Sequence, residues 1–157
     1  MIIRIFDKVL RELYRFFHPS LWGKKIQING IPKIYCIKRL KIGSNVSINS
    51  GCVLQCYGGL EIGNNVTISD GAKILTRQLD TNNYCDNAKN IERKHCDYRT
   101  VICEGTWIAT NALILPGATV PSNCIIAAGA VVNKNLEEEN CLYAGVPAKK
   151  IRLLGRK

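Results

Sequence analysis

The chain has 157 residues, 46% of them hydrophobic, which leaves room for one domain with a real core and argues against wholesale disorder. Twenty-two Lys and Arg against twelve Asp and Glu give a net charge of +10, which points to an anionic partner such as a membrane surface or a phosphorylated cofactor. The basic residues are scattered and carry no zinc-finger or RNP-type spacing, so nucleic acid is not expected, and no apolar run is long enough to span a bilayer.

Residues 2–17 come first. Ile2, Ile3, Ile5, Phe6, Val9, Leu10, Leu13, Tyr14, Phe16 and Phe17 make a broad apolar stripe at helical spacing, with Arg4, Lys8, Arg11 and Arg15 on the other face. The pattern predicts an amphipathic helix that ends at His18-Pro19, within an N-terminal segment 1–25. Two roles fit it: a cap on the domain that follows, or an interfacial helix lying on an anionic membrane.

From residue 26 to 148 the period changes to six. Aliphatic residues stand at Ile42, Ile48 and Leu54, then Ile62, Ile68 and Ile74, then Ile102, Ile108, Ile114, Val120, Ile126 and Val132. The fourth residue after each is small or β-branched in Val46, Cys52, Val66, Ala72, Thr106, Ala112, Ala118, Cys124 and Ala130. Helices repeat at 3.6 and strands at 2, so neither explains this spacing. It predicts an all-β solenoid: a parallel β-helix of triangular section, with each short strand on one flat side and the aliphatic residue inside. Residues 77–100 break the rhythm with a polar, charged run, and predict an excursion of functional length from one corner. The stretch from Lys149 to Lys157 predicts a short basic helix or tail.

Eight cysteines and a start without a small-residue cleavage site read as free thiols in a reducing cytoplasm. The closest pair, Cys52 and Cys56, has no second pair and no nearby His, so no metal site is expected.

The motifs Gly105-Thr106-Trp107-Ile108-Ala109, Leu113-Ile114-Leu115-Pro116-Gly117, Ala127-Ala128-Gly129-Ala130-Val131-Val132-Asn133-Lys134 and Tyr143-Ala144-Gly145-Val146-Pro147-Ala148-Lys149 resemble the hexapeptide-repeat acyltransferases. The resemblance covers residues 40–152. It is nearest the branch with galactoside, maltose and capsule-sugar O-acetyltransferases and virginiamycin acetyltransferases. It implies a left-handed winding, a homotrimer with active sites between prisms, and acetyl-CoA as acyl donor. By this resemblance, Thr110 and Ala128 touch the pantetheine arm, and Asn133 and Lys134 meet the adenine-phosphate end, with Lys149 and Arg152 nearby.

In the resembling enzymes the general base is a His at the start of the loop, after a stretch like Ile74-Leu75-Thr76. Here Arg77-Gln78-Leu79-Asp80 follows instead, and the expected histidine is absent. Of the two histidines, His18 is remote, whereas His95 lies at the far end of the excursion and can return to the vacated place. His95 is therefore the candidate base, with Asp80 the first choice to orient its ring and Asp97 or Glu92 as alternatives. Cys96 is not expected to act as nucleophile, because neighbours on an extended segment face opposite sides. Asn82, Asn83 and Tyr84 are candidate acceptor contacts. The expected activity is acetyl-CoA-dependent O-acetylation of a sugar or glycan-precursor hydroxyl, in the cytoplasm or at the inner membrane face. N-acetylation of an amino sugar, antibiotic acetylation, and a catalytically degenerate trimeric scaffold are the alternatives.

Overall fold

The computed structural model describes Phe16, residues 24–82 and residues 93–155. The stripe at 2–17, apart from Phe16, lies outside the described residues, as do His18, Asn83, Tyr84 and Glu92.

The chain climbs in coils of three short strands. The first coil holds β1 (Gln27–Ile28), β2 (Lys33–Tyr35) and β3 (Leu40–Ile42); the second β4 (Ser47–Ile48), β5 (Val53–Gln55) and β6 (Leu60–Ile62). The third holds β7 (Thr67–Ile68), β8 (Lys73–Ile74) and β11 (Thr100–Ile102), with β9 (Arg77–Leu79) and β10 (His95–Asp97) in the excursion between them. The fourth holds β12 (Trp107–Ile108), β13 (Leu113–Ile114) and β14 (Thr119–Val120), and the fifth β15 (Ile125–Ile126) and β16 (Val131–Val132). Then come β17 (Cys141–Ala144) and β18 (Lys149–Leu153).

Three parallel walls result. The first runs β1-β4-β7-β12-β15-β17 and ends on β18, the second β2-β5-β8-β13-β16, and the third β3-β6-β11-β14. Like residues stack: Ile48 pairs with Ile68, Ile68 with Ile108 and Ile108 with Ile126. On the second wall Leu54, Ile74, Ile114 and Val132 do the same. These side chains are fully buried, so the six-residue aliphatic series is the core of the prism. The small residues between them are buried too, from Val46 to Ala130. Each wall is a parallel sheet whose backbone groups bond to the coils above and below.

Six residues can form one side and turn only if the corner is tight. At the corner between the third and first walls, Asn45, Asn65, Gly105, Asn123 and Asn140 all have positive φ. Asn tolerates this conformation and its amide also ladders to the next coil, Asn45 Nδ2 to Asn65 Oδ1 at 2.8 Å and Asn123 Nδ2 to Asn140 Oδ1 at 3.1 Å. Gly105 breaks the column for a steric reason: a Cβ there would lie 2.2 Å from Asn123 Oδ1, at φ +67. Gly105→Ala is expected to lower stability by about 1–2 kcal/mol, read as a lower urea midpoint at unchanged slope.

The corner between the second and third walls is the variable one. Ile34 to Ile42 and Leu54 to Ile62 each span eight residues, the first through a 3-10 turn at Ile37–Arg39. The long excursion leaves at this same corner, and only in the fourth coil, from Ile114 to Val120, does it contract to six.

Two segments differ from the sequence expectation. The excursion is not wholly irregular, because β9 and β10 pair antiparallel as a separate two-stranded ribbon. The C-terminal segment is a strand rather than a helix or tail: β18 pairs antiparallel with β17. The chain reverses at Gly145, whose φ is +97, and β18 then satisfies the otherwise open edge of β17.

Candidate active site

The site grows from the variable corner. Thr76, the last residue before the excursion, is fully buried: its Oγ1 donates to the Gln55 carbonyl at 2.8 Å and accepts from the Gly58 amide at 3.0 Å. Gln55 Oε1 accepts from the Arg77 amide at 3.0 Å. The returning chain is pinned by the Tyr98 amide donating to the Thr76 carbonyl at 2.8 Å. It passes directly over Gly58, where a Cβ would come within 2.5 Å of the Tyr98 backbone. Thr100 Oγ1 then donates to the Leu75 carbonyl at 2.8 Å and locks the re-entry. Both ends of the excursion are thus rooted at one place on the prism.

The ribbon decides which side chains meet. Arg77 pairs with Asp97 and Leu79 with His95, so these four share one face. Gln78 pairs with Cys96 on the other face, and alternation places Asp80 there as well. Arg77 binds Asp97 bidentately, Nε to Oδ1 at 2.6 Å and Nη2 to Oδ2 at 2.9 Å. That hydrogen-bonded guanidinium holds the Asp97 carboxyl below its ordinary value, and His95 is near enough to add to the effect. Arg77 also lies over the Tyr57 ring at 4.0 Å, and Tyr57 stacks on Tyr35 with centroids 6.4 Å apart. A ladder of Tyr35, Tyr57, Arg77 and Asp97 therefore climbs the corner to exposed His95.

Asp80, the carboxylate expected to orient His95, does not sit with it. Its Oδ1 accepts from the Asn82 amide at 2.9 Å, and its charge acts instead on Tyr98, whose hydroxyl is pushed up first by Cys96 and more weakly by Asp80. The reason is the period of two: moving one residue along a strand changes the face. Asp97 shares His95's face instead. Cys96 is on the opposite face from His95, as alternation requires. Asn82 closes the described part of the excursion on the Asp80 side, and Asn83 and Tyr84 lie outside the described residues.

Four of the residues assigned to the acyl donor fall at two corners, and the other two lie on β18 at the end of the first wall. Thr110 and Ala128 occupy equivalent places on successive coils between the first and second walls, where the Gly129 amide donates to the Thr110 carbonyl at 2.9 Å. Asn133 and Lys134 follow β16 at the variable corner, two coils beyond Leu75 and Thr76. Lys149 pairs with Ala144 and Arg152 with Leu142, both exposed on β18. The neighbouring Lys150 is occupied by an ion pair with Glu138. One prism thus joins His95 and Lys134 at one corner and holds Thr110 and Ala128 at another. Trp107, read from the sequence only as part of a motif, stands 47% exposed on the first wall with its Nε1 donating to Ser69 Oγ at 2.8 Å.

The seven described cysteines are free. Burial pushes the Cys52 thiol up to about 11 and the Cys56 thiol up to about 12. A raised thiol pKa leaves roughly one thiolate in a thousand or fewer at pH 8. Iodoacetamide at that pH is expected to label exposed Cys36 and to spare Cys52 and Cys56 until the protein is denatured, read by peptide mass spectrometry. No group of His, Cys, Asp and Glu among the described residues is arranged to hold a metal ion.

Residues 99–134 match the family "Bacterial transferase hexapeptide (six repeats)", and the hexapeptide repeat implies a left-handed winding. No curated protein matches the sequence. Among solved structures the chain is similar to a maltose O-acetyltransferase from Clostridium difficile 630, at 22% identity and TM-score 0.76 over 96% of this chain and 87% of that one. It is also similar to a hexapeptide-repeat acetyltransferase from Vibrio cholerae complexed with acetyl coenzyme A, at 23% identity and TM-score 0.76 over 92% of this chain and 79% of that one. An N-acyltransferase from Bacillus cereus, in complex with dTDP and 3-hydroxybutyryl-CoA, matches at 21% identity and TM-score 0.69 over 94% of this chain and 89% of that one. The chain carries the repeat of the bacterial hexapeptide transferases and has the left-handed parallel β-helix fold of the hexapeptide-repeat acyltransferases.

Proposed function

We propose that this protein is an acyltransferase that moves an acetyl group from acetyl-CoA to a hydroxyl of a sugar or glycan precursor, with His95 as general base. The observation that carries the proposal is the zipping of β9 onto β10, which roots a solvent-facing histidine at the corner of the prism beside an Arg-clamped carboxylate. The similarity to acetyl- and acyltransferases supports the reaction class.

In this reading His95 takes the proton of the acceptor hydroxyl and the freed oxygen attacks the thioester carbonyl. A backbone amide stabilises the oxyanion, and the departing CoA thiolate takes the proton back from His95. No covalent enzyme intermediate is needed, so both substrates are bound together. Asp97, fixed by Arg77, orients the ring in place of Asp80. Lys134, Lys149 and Arg152 supply counter-charge to the CoA phosphates, while Thr110 and Ala128 offer backbone groups to the pantetheine. The separation of these contacts onto two corners is the reason for proposing a homotrimer. A groove between adjacent prisms sets one copy's corner against another's.

The test is thiol release from acetyl-CoA in the presence of a panel of sugars, amino sugars and streptogramins, with the mass in solution measured alongside. Turnover with a hydroxyl acceptor is expected. The likeness to the Bacillus cereus N-acyltransferase supports an amine acceptor as the second reading, and turnover only with amino sugars would select it. CoA binding with no turnover on any acceptor would leave a trimeric scaffold.

A further inference from the structure

The first coil carries charge of a single sign. Strands β1, β2 and β3 are the outermost members of their walls, so among the described residues this coil forms one end of the prism. Between Lys24 and Leu60 the sequence holds six basic residues and no acidic one. Lys24 and Lys25 precede β1, Lys33 opens β2, Lys38 and Arg39 lie in the 3-10 turn, and Lys41 is in β3; all six are exposed. They are spread around the coil rather than along one wall; Arg39 and Lys41 reach toward the second coil, at the Tyr57 carbonyl and Glu61, while no such contact engages Lys25, Lys33 or Lys38 among the described residues.

Their charge is little compensated within the described residues. Lys24 donates to the backbone carbonyl of Ile42, which leaves its charge in place, while Arg39 donates to the Tyr57 carbonyl and also acts on the Asp97 carboxylate. Lys41 meets Glu61 at 2.9 Å, but Glu61 also binds Arg99, so that trio keeps one positive charge. Two apolar side chains stand out on the same coil, Ile31 at 47% and Tyr35 at 44% exposure.

We propose that this end face docks on an anionic lipid surface. A rigid rod presents its end to a plane, so Lys25, Lys33 and Lys38, spread around that end, can reach headgroups together. Ile31 and Tyr35 can enter the interfacial layer beside them. Each Lys or Arg close to an anionic leaflet raises affinity about fivefold, and the effect fades within a Debye length. A duplex nucleic acid would be better met by a stripe along one wall than by a ring around an end. This inference does not depend on the acetyltransferase reading.

The experiment uses the full chain and vesicle flotation. Binding is expected to phosphatidylcholine vesicles containing phosphatidylglycerol, not to phosphatidylcholine alone, and to be lost at high salt. The double variant K25Q/K38Q should weaken it at least about tenfold. The double variant K73Q/K150Q removes the same charge from the third coil and the C-terminal strand, and should change it less than about twofold. Circular dichroism of both confirms folding. Equal weakening by the two variants would reduce the effect to net charge and overturn the proposal. Wild-type binding by K25Q/K38Q, or duplex DNA bound in preference to vesicles, would overturn it as well.

Discussion

His95→Ala is expected to lower acetyl transfer at least about 100-fold at saturating acetyl-CoA, because a positioned general base contributes roughly that factor or more. The loss should fall on kcat, with CoA affinity unchanged, since Lys134, Lys149 and Arg152 carry no part of the proton transfer. His95 is the only histidine among the described residues; the other, His18, lies outside them. Turnover unchanged in His95→Ala would remove the assignment. Arg77→Met provides the companion measurement. It breaks the bidentate clamp on Asp97 and the contact with Tyr57 while leaving His95 in place, so a smaller loss of about tenfold in kcat is expected. Asp80→Asn should have little effect by comparison, because Asp80 bonds the Asn82 amide on the opposite face of the ribbon. An Asp80 variant as damaged as Arg77→Met would restore the partner expected from the sequence.

The second large effect is on stability. Ile108→Ala is expected to cost about 2–5 kcal/mol, the range for deleting most of a fully buried aliphatic side chain that leaves a cavity. Ile108 is fully buried and stacks between Ile68 and Ile126 on the first wall. The β-helix has no second layer to collapse into the gap, since each coil touches only the coils next to it. In a chain of this size each kcal/mol moves the midpoint by roughly 2–4 °C, so thermal unfolding should begin on the order of 10 °C lower. Ile125→Ala, in the next coil beside Ile126 but on the outer surface of the wall, serves as the control and should cost much less.

The fold was legible because a solenoid writes its geometry directly into the sequence. Each side reuses the same few residues, so the inward position recurs as Ile48, Ile68, Ile108 and Ile126 without waiting for distant contacts. The corner asparagines at 45, 65, 123 and 140 are a further signal in the sequence, since they mark the positive-φ turns as glycine does. The candidate site was legible only in part. The absence of a histidine after Thr76, and the presence of His95 at the far end of the excursion, are facts of sequence. The partner of His95 is not, because choosing Asp80 or Asp97 requires knowing the register in which Leu79 faces His95.

What the amino-acid order determined by itself is the periodic core, the place of the interruption and the chemistry available at its ends. What only the tertiary structure decided is which side chains of the ribbon share a face, that the C-terminal segment adds a strand, and that the basic residues of the first coil encircle one end of the prism. The physical reason is the range of the interactions. Burial at each sixth position is a local repeat, whereas the antiparallel pairing of β9 with β10 and of β17 with β18 joins residues whose spacing in the chain carries no period.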